Sequence, residues 1–131
     1  MLKRNKKFLI MLLACAFPFV CGCSAGGSVS YEKISGADAK ALMDSESGYI
    51  IIDARTQSEY DEGHIPGAIL IPEYEIADRA ESELPDKEQL ILVYCRSGRR
   101  SKIAAEELAK LGYTNVKEFG GIIDWEYEVV K

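Results

Sequence analysis

Leu90-Ile91-Leu92-Val93-Tyr94-Cys95-Arg96-Ser97-Gly98-Arg99-Arg100-Ser101 is the stretch whose reading decides the fold. Five apolar residues in a row suit a strand buried on both faces. Residues 102–111 follow with apolar positions at helical spacing, and Gly112 stops them. The order is therefore buried strand, tight loop, helix. Open α/β sheets place their ligands at the carboxyl ends of parallel strands, which is where this thiol falls. The helix turns its N-terminus back on the loop, and its unpaired N–H groups and dipole favour a thiolate and any anion beside it. Arg96, Arg99 and Arg100 add positive charge within the same few residues. The stretch has the chemistry of a nucleophilic cysteine in an anion cradle.

Outward from the loop, the chain alternates short strands with short helices. Residues 31–34 suit an edge strand. Ser35 and Asp38 form a capping box for a shallowly packed helix through Met43, which Ser47-Gly48 breaks. Residues 49–52 suit a second strand, ending at Asp53. Thr56 with Glu59 caps a short helix to Glu62. Residues 68–71 suit a third strand between Gly67 and Pro72. Residues 73–84 place Ile76, Ala77, Ala80 and Leu84 on one helical face, and Pro85-Asp86 ends them. Residues 90–94 and 115–118 supply the fourth and fifth strands, and a short helix is predicted around residues 122–127. The expected fold class is α/β: one domain with a mostly parallel five-stranded sheet and helices on both faces.

Composition frames the rest. The chain has 131 residues, enough for one domain. Lys3, Arg4, Lys6 and Lys7 precede an apolar run over residues 8–20 that only Pro18 interrupts. That run is short for a membrane span and suits a signal segment. Val20-Cys21-Gly22-Cys23 resembles the lipobox of bacterial lipoproteins. This resemblance implies cleavage before Cys23 and lipid on its thiol; Leu12-Leu13-Ala14-Cys15 is a weaker match, and an uncleaved signal anchor is the alternative. Residues 1–22 are thus expected to be a lipoprotein signal peptide and residues 23–30 a lipidated cysteine with a Gly/Ser-rich tether. An extracytoplasmic, membrane-anchored location follows as an expectation. Of Cys15, Cys21, Cys23 and Cys95, only Cys95 would remain a free thiol, so a disulfide within the mature chain is not expected. The formal charge is −5; residues 1–22 hold four basic residues and no acidic ones, which leaves −9 for the remainder. Such a balance disfavours nucleic acid as a partner. No cysteine pair or histidine cluster has zinc-site spacing, so neither a metal nor another cofactor is expected.

The loop Cys95 to Ser101 resembles the active-site loop of the rhodanese family of thiosulfate and persulfide sulfurtransferases. Two further segments match that family. One is Ile50-Ile51-Ile52-Asp53-Ala54-Arg55 with Glu59-Tyr60 and Gly63-His64-Ile65-Pro66-Gly67-Ala68. The other is Gly120-Gly121 with Trp125. Taken in the family's order, the matches cover about residues 31–131. The resemblance implies a strand order of 1-5-4-2-3, with the strands ending at Asp53 and Cys95 adjacent. It implies a sulfurtransferase that moves a sulfane sulfur from thiosulfate or a persulfide to a thiol or cyanide through a persulfide on Cys95. It also turns the arginine at the last loop position, Arg100, inward.

Each residue type fits that chemistry. Sulfur transfer needs a thiolate, which a free cysteine with a pKa of ~8.5 holds only in part. The persulfide's outer sulfur is an anion and needs convergent N–H donors, which consecutive loop amides supply. Ser97 and Gly98 are small enough to let the backbone approach sulfur. Arg96, Arg99 and Arg100 are candidates for gripping an oxyanion donor, with Arg99 facing out. Asp53, Arg55 and Ser101 are expected to support the loop. His64, the one histidine, is expected to stabilise a turn, and Trp125 to be a core or rim aromatic. The expected partners are a small anionic sulfur donor and a thiol acceptor, and a monomer is expected. Two rival readings stand: a non-enzymatic sensor or interaction module, and a phosphatase or arsenate reductase. The latter enzymes use Cys-x5-Arg, and here Ser101 holds the position of that arginine.

Overall fold

The computed structural model describes residues 30–131. The expected signal segment, the expected anchor at Cys23 and the expected tether as far as residue 29 lie outside the described residues. The elements are β1 (Glu32–Lys33), α1 (Gly36–Ser45), β2 (Ile50–Asp53), α2 (Gln57–Glu62), β3 (Ile69–Leu70), α3 (Ile76–Glu83), β4 (Ile91–Cys95), α4 (Arg99–Lys110) and β5 (Val116–Gly121). They form one five-stranded sheet in the order β1-β5-β4-β2-β3, with every named pair parallel. This is the order that the family resemblance implies. The capping boxes form as the sequence requires. The Ser35 side chain accepts from the Asp38 N–H, and the Thr56 side chain from that of Glu59.

The side-chain alternation of the strands divides the core in two. Ile52, Ile91, Val93 and Cys95 face α3 and α4, where Ile76, Ala80, Ala104, Ala105 and Leu108 bury them. Ile51, Leu92, Tyr94 and Phe119 face the other way, against Ala39 of α1 and Ile65. Cys95 and Tyr94 therefore leave the end of β4 on opposite faces. Ala39 is the only buried residue of α1, in keeping with its shallow packing.

Several elements differ from expectation at their ends: α1 runs on to Ser45, and α4 already begins at Arg99 inside the loop. Residues 73–75 form a separate 3₁₀ turn after Pro72, and the α-helix begins at Ile76. β5 continues past Glu118 to Gly121. The helix expected over residues 122–127 is only a 3₁₀ turn, Ile122–Asp124. Trp125 ends it in an extended conformation. Its ring packs between Phe119 and Tyr127, and its Nε1 donates to the Glu128 carbonyl. Side-chain packing there displaces further helical turns.

β4 and β5 slip past each other near the site. Val93 pairs with Glu118, but Cys95 pairs with Gly121, so β5 spends one extra residue over that interval. Gly120 absorbs the bend at φ +87°. Gly121 then passes directly under the loop. A Cβ there would lie 2.0 Å from the Arg96 carbonyl oxygen and 2.6 Å from Ser97 Cα. Gly121→Ala is expected to destabilise the domain by at least ~1–3 kcal/mol through overpacking, measured by urea unfolding. Unchanged stability would show that the loop is free to move away from β5.

Candidate active site

Cys95 ends β4 with 1% of its surface exposed. The chain then reverses at Gly98, whose φ of +106° lies in the left-handed region that glycine tolerates. That turn aims the Gly98 N–H at Cys95 Sγ, 3.0 Å away. α4 starts at the next residue. Its first amides, at Arg99, Arg100 and Ser101, belong to the turn that has no carbonyl behind it. Ser101, buried on α4, lies with its Oγ 3.3 Å from Cys95 Sγ. The Arg96 carbonyl accepts from the Ile123 N–H, which ties the loop to the segment after β5.

The three arginines separate. Arg96 and Arg99 are exposed. Arg100 reaches across to α2 and donates through both terminal nitrogens to Glu59, at 2.7 and 2.9 Å. Thus the arginine expected to capture an anion already holds a carboxylate. The Arg100 hydrogen bond, offset in part by desolvation and helped by Thr56, holds the Glu59 carboxyl at about 2, below its ordinary 4.5. Glu59 has two roles: it closes the cap of α2 and anchors α4.

Asp53 is fully buried at the end of β2. It accepts from the Arg55 N–H, from Arg55 Nε and Nη2, and from the Tyr94 hydroxyl at 2.7 Å. Arg55 Nη2 also donates to the Gly63 carbonyl, and Tyr94 Oη accepts from the Ile65 N–H. Burial, followed by the Asp53 charge, pushes the Tyr94 hydroxyl upward, so it stays a donor. This network fastens the loops after β2 and before β3 to the ends of β2 and β4. Removing one member of a buried ion pair costs ~3–5 kcal/mol, which marks the pair as a structural brace.

His64 is not part of a dyad with Cys95. Its ring stacks on Tyr60 at 3.7 Å, and its Nδ1 lies 2.9 Å from the Tyr60 carbonyl oxygen. Beside the loop a cleft of about 370 Å³ is lined by Arg55, Glu59, Glu62, Arg96, Ile122 and Ile123. It combines two guanidinium groups and two carboxylates with an apolar wall of Ile122 and Ile123. Sequence reasoning missed Tyr94, the second role of Glu59, and Glu118, which bonds Ser101 from β5 at 2.6 Å. A lone acid at the inward-facing parity of a strand, two residues after Val116, was the available signal for Glu118.

A cysteine at a parallel strand end, under a glycine-turned loop and a helix N-terminus, defines an α/β protein with a buried thiol facing backbone N–H donors at the carboxyl edge of its sheet. Comparison with known proteins gives the class a family. The Rhodanese-like domain matches residues 35–128, and the chain belongs to that family. It is 41% identical over 80 residues to thiosulfate sulfurtransferase PspE of Escherichia coli K12, covering 61% of this chain and 77% of that protein. It is 40% identical over 88 residues to a sulfurtransferase of Allochromatium vinosum, covering 66% and 79%. The structure described as rhodanese with anions from E. coli superposes with a TM-score of 0.60 at 40% identity, covering 63% of this chain and 98% of that one.

The Glu59–Arg100 pair predicts a pH dependence. A carboxyl lowered in the folded state adds stability that is present above its unfolded value and is lost as pH falls through the folded value. The stability advantage of the wild type over Glu59→Gln is expected to persist at neutral pH and to shrink between pH 4.5 and about 2. Urea unfolding of both proteins across that range measures it. An advantage independent of pH would mean that Glu59 acts only as a helix cap.

Proposed function

We propose that the chain is a sulfurtransferase that carries a sulfane sulfur on Cys95, taking it from thiosulfate or a persulfide and giving it to a thiol or cyanide. The observation that carries this reading is the Gly98 N–H bonded to Cys95 Sγ at the mouth of α4. The Cys95 thiolate attacks the outer sulfur of the donor and forms an S–S bond. The donor's own S–S bond breaks, and sulfite or a thiolate leaves with the electron pair. The new outer sulfur lies among the loop amides, where preorganised dipoles stabilise its charge. An acceptor thiolate or cyanide then takes that sulfur, and Cys95 leaves as a thiolate. Arg96, exposed on the cleft beside the loop, is placed to meet an anionic donor. Arg100 takes part where the donor competes with Glu59.

Loop length favours this reading over phosphoryl or arsenate chemistry. Four residues separate Cys95 from Arg100, and one more donor position is needed to ring a tetrahedral oxyanion. Cys95→Ser is expected to abolish thiocyanate formation from thiosulfate and cyanide while circular dichroism stays unchanged. No phosphate-ester hydrolysis is expected from the wild type. Cys95-dependent phosphatase turnover would contradict the loop-length reasoning. Absence of transfer from every sulfane donor would favour a sensor or interaction module.

The same reading places the domain outside the cytoplasm on a lipid anchor at Cys23, supported by the basic start, the apolar run and Val20-Cys21-Gly22-Cys23. Cys23→Ala is expected to abolish metabolic labelling by fatty acid and to leave the uncleaved precursor. Label that persists would move the anchor to another cysteine.

A further inference from the structure

Glu118 occupies a position where an apolar residue would be cheaper. Val116 on the same strand packs into the apolar core with Ala104, Ala105 and Leu108 of α4, and Glu118, two residues on, is 1% exposed. Its Oε1 accepts from Ser101 Oγ at 2.6 Å and from the Gly120 N–H at 2.8 Å. Its Oε2 is buried with no partner among the described residues. An ionised carboxylate so placed leaves a charged oxygen unpaired, which is expensive. A carboxylic acid with its proton on Oε1 leaves only a neutral carbonyl oxygen unpaired.

Ser101 joins this carboxyl to the nucleophile. Its Oγ is 3.3 Å from Cys95 Sγ and 2.6 Å from Glu118 Oε1. A hydroxyl accepts one proton while passing on its own. With His64 committed to Tyr60, Glu118 is the ionisable side chain that a hydrogen-bonded line connects to the thiol.

We propose that Glu118 is the proton partner of Cys95, taking the thiol proton through Ser101 when the nucleophile forms and returning it when Cys95 leaves the persulfide. The Cys95 proton moves to Ser101 Oγ, and the Ser101 hydroxyl proton moves to Glu118 Oε1. The site carries one negative charge before and after, first on the carboxylate and then on sulfur. The Ser101 hydroxyl then donates to the thiolate alongside the Gly98 N–H, and Glu118 donates to Ser101 Oγ. The return step runs in reverse, and only that step rests on the sulfur-transfer reading above. Glu118 acts through Ser101 and is a positioning residue.

The surrounding charges suit a single shared negative charge. Arg100 of α4 lies close enough to Cys95 and to Asp53 of β2 for both to act on its charge. Lys33 of β1, Arg99 and Lys102 of α4, and Asp124 after β5 line a cleft with Glu118. Burial and then the charges of Glu106 and Glu118 push the Tyr31 hydroxyl upward, so it remains neutral.

Two coupled groups release their protons in macroscopic steps that belong to the pair. The test is the rate of iodoacetamide alkylation of the Cys95 peptide in the purified full chain, read by mass spectrometry across pH. The wild type is expected to rise in two steps with a plateau between them, where one proton is shared. Glu118→Gln keeps the shape of the side chain but cannot take a proton, and is expected to give a single step. Single-step curves in both proteins would overturn the proposal. Infrared difference spectra of the wild type at the plateau give a second readout, independent of how the variant folds. Alkylation of Cys95 is expected to convert a protonated carboxyl band into a carboxylate band, and no such conversion would also overturn the proposal. Loss of sulfur transfer with a two-step curve would refute the sulfur-transfer reading alone; a single-step wild type that still transfers sulfur would refute the proton partnership alone.

Discussion

The Cys95 loop depends on the empty space over Gly121. The Arg96 carbonyl and the Ser97 backbone fill the volume that any side chain there would take. The register slip between β4 and β5, with Gly120 at positive φ, brings that glycine under the loop. From this contact follows the tight reversal at Gly98, and from the reversal follows the N–H aimed at sulfur. A loop lifted by a methyl group would aim its amides elsewhere. The fold thus brings an N–H donor onto the thiol through backbone packing.

Side-chain polarity is arranged around that backbone in two buried sets. On one face of the sheet Asp53, Arg55 and Tyr94 hold the loops after β2 and before β3. On the other face Ser101 and Glu118 meet Cys95 from α4 and β5. The first set is closed: each charge meets an opposite charge or a donor, as a brace should. The second has one buried oxygen left over. Buried polar networks with an unsatisfied member are costly, and this one touches Cys95 Sγ.

Much of this was legible in the sequence because local rules and tertiary packing agree. The apolar run into Cys95, the glycine turn and the helical spacing after it specify strand, loop and helix with no competing pattern. Both capping boxes form because their partners are local. Strand order was not readable from periodicity and came from the family resemblance. The tail after Gly121 was misread because its helical propensity loses to the packing of Trp125 on Phe119 and Tyr127. The sequence presents Arg100 as an anion ligand because its partner Glu59 lies 41 residues away along the chain. Glu118 escaped notice because one strand reveals which residues share a face, but not that a serine of α4 waits there.

Covalent sulfur on Cys95 is the central claim, and intact-mass measurement of the full chain after brief exposure to thiosulfate or a small persulfide tests it most directly. The account predicts a gain of one sulfur atom, mapped to the Cys95 peptide and removed by cyanide or a thiol. A chain that reacts with no sulfane donor, or that gains sulfur on another residue while Cys95 stays unmodified, would contradict it.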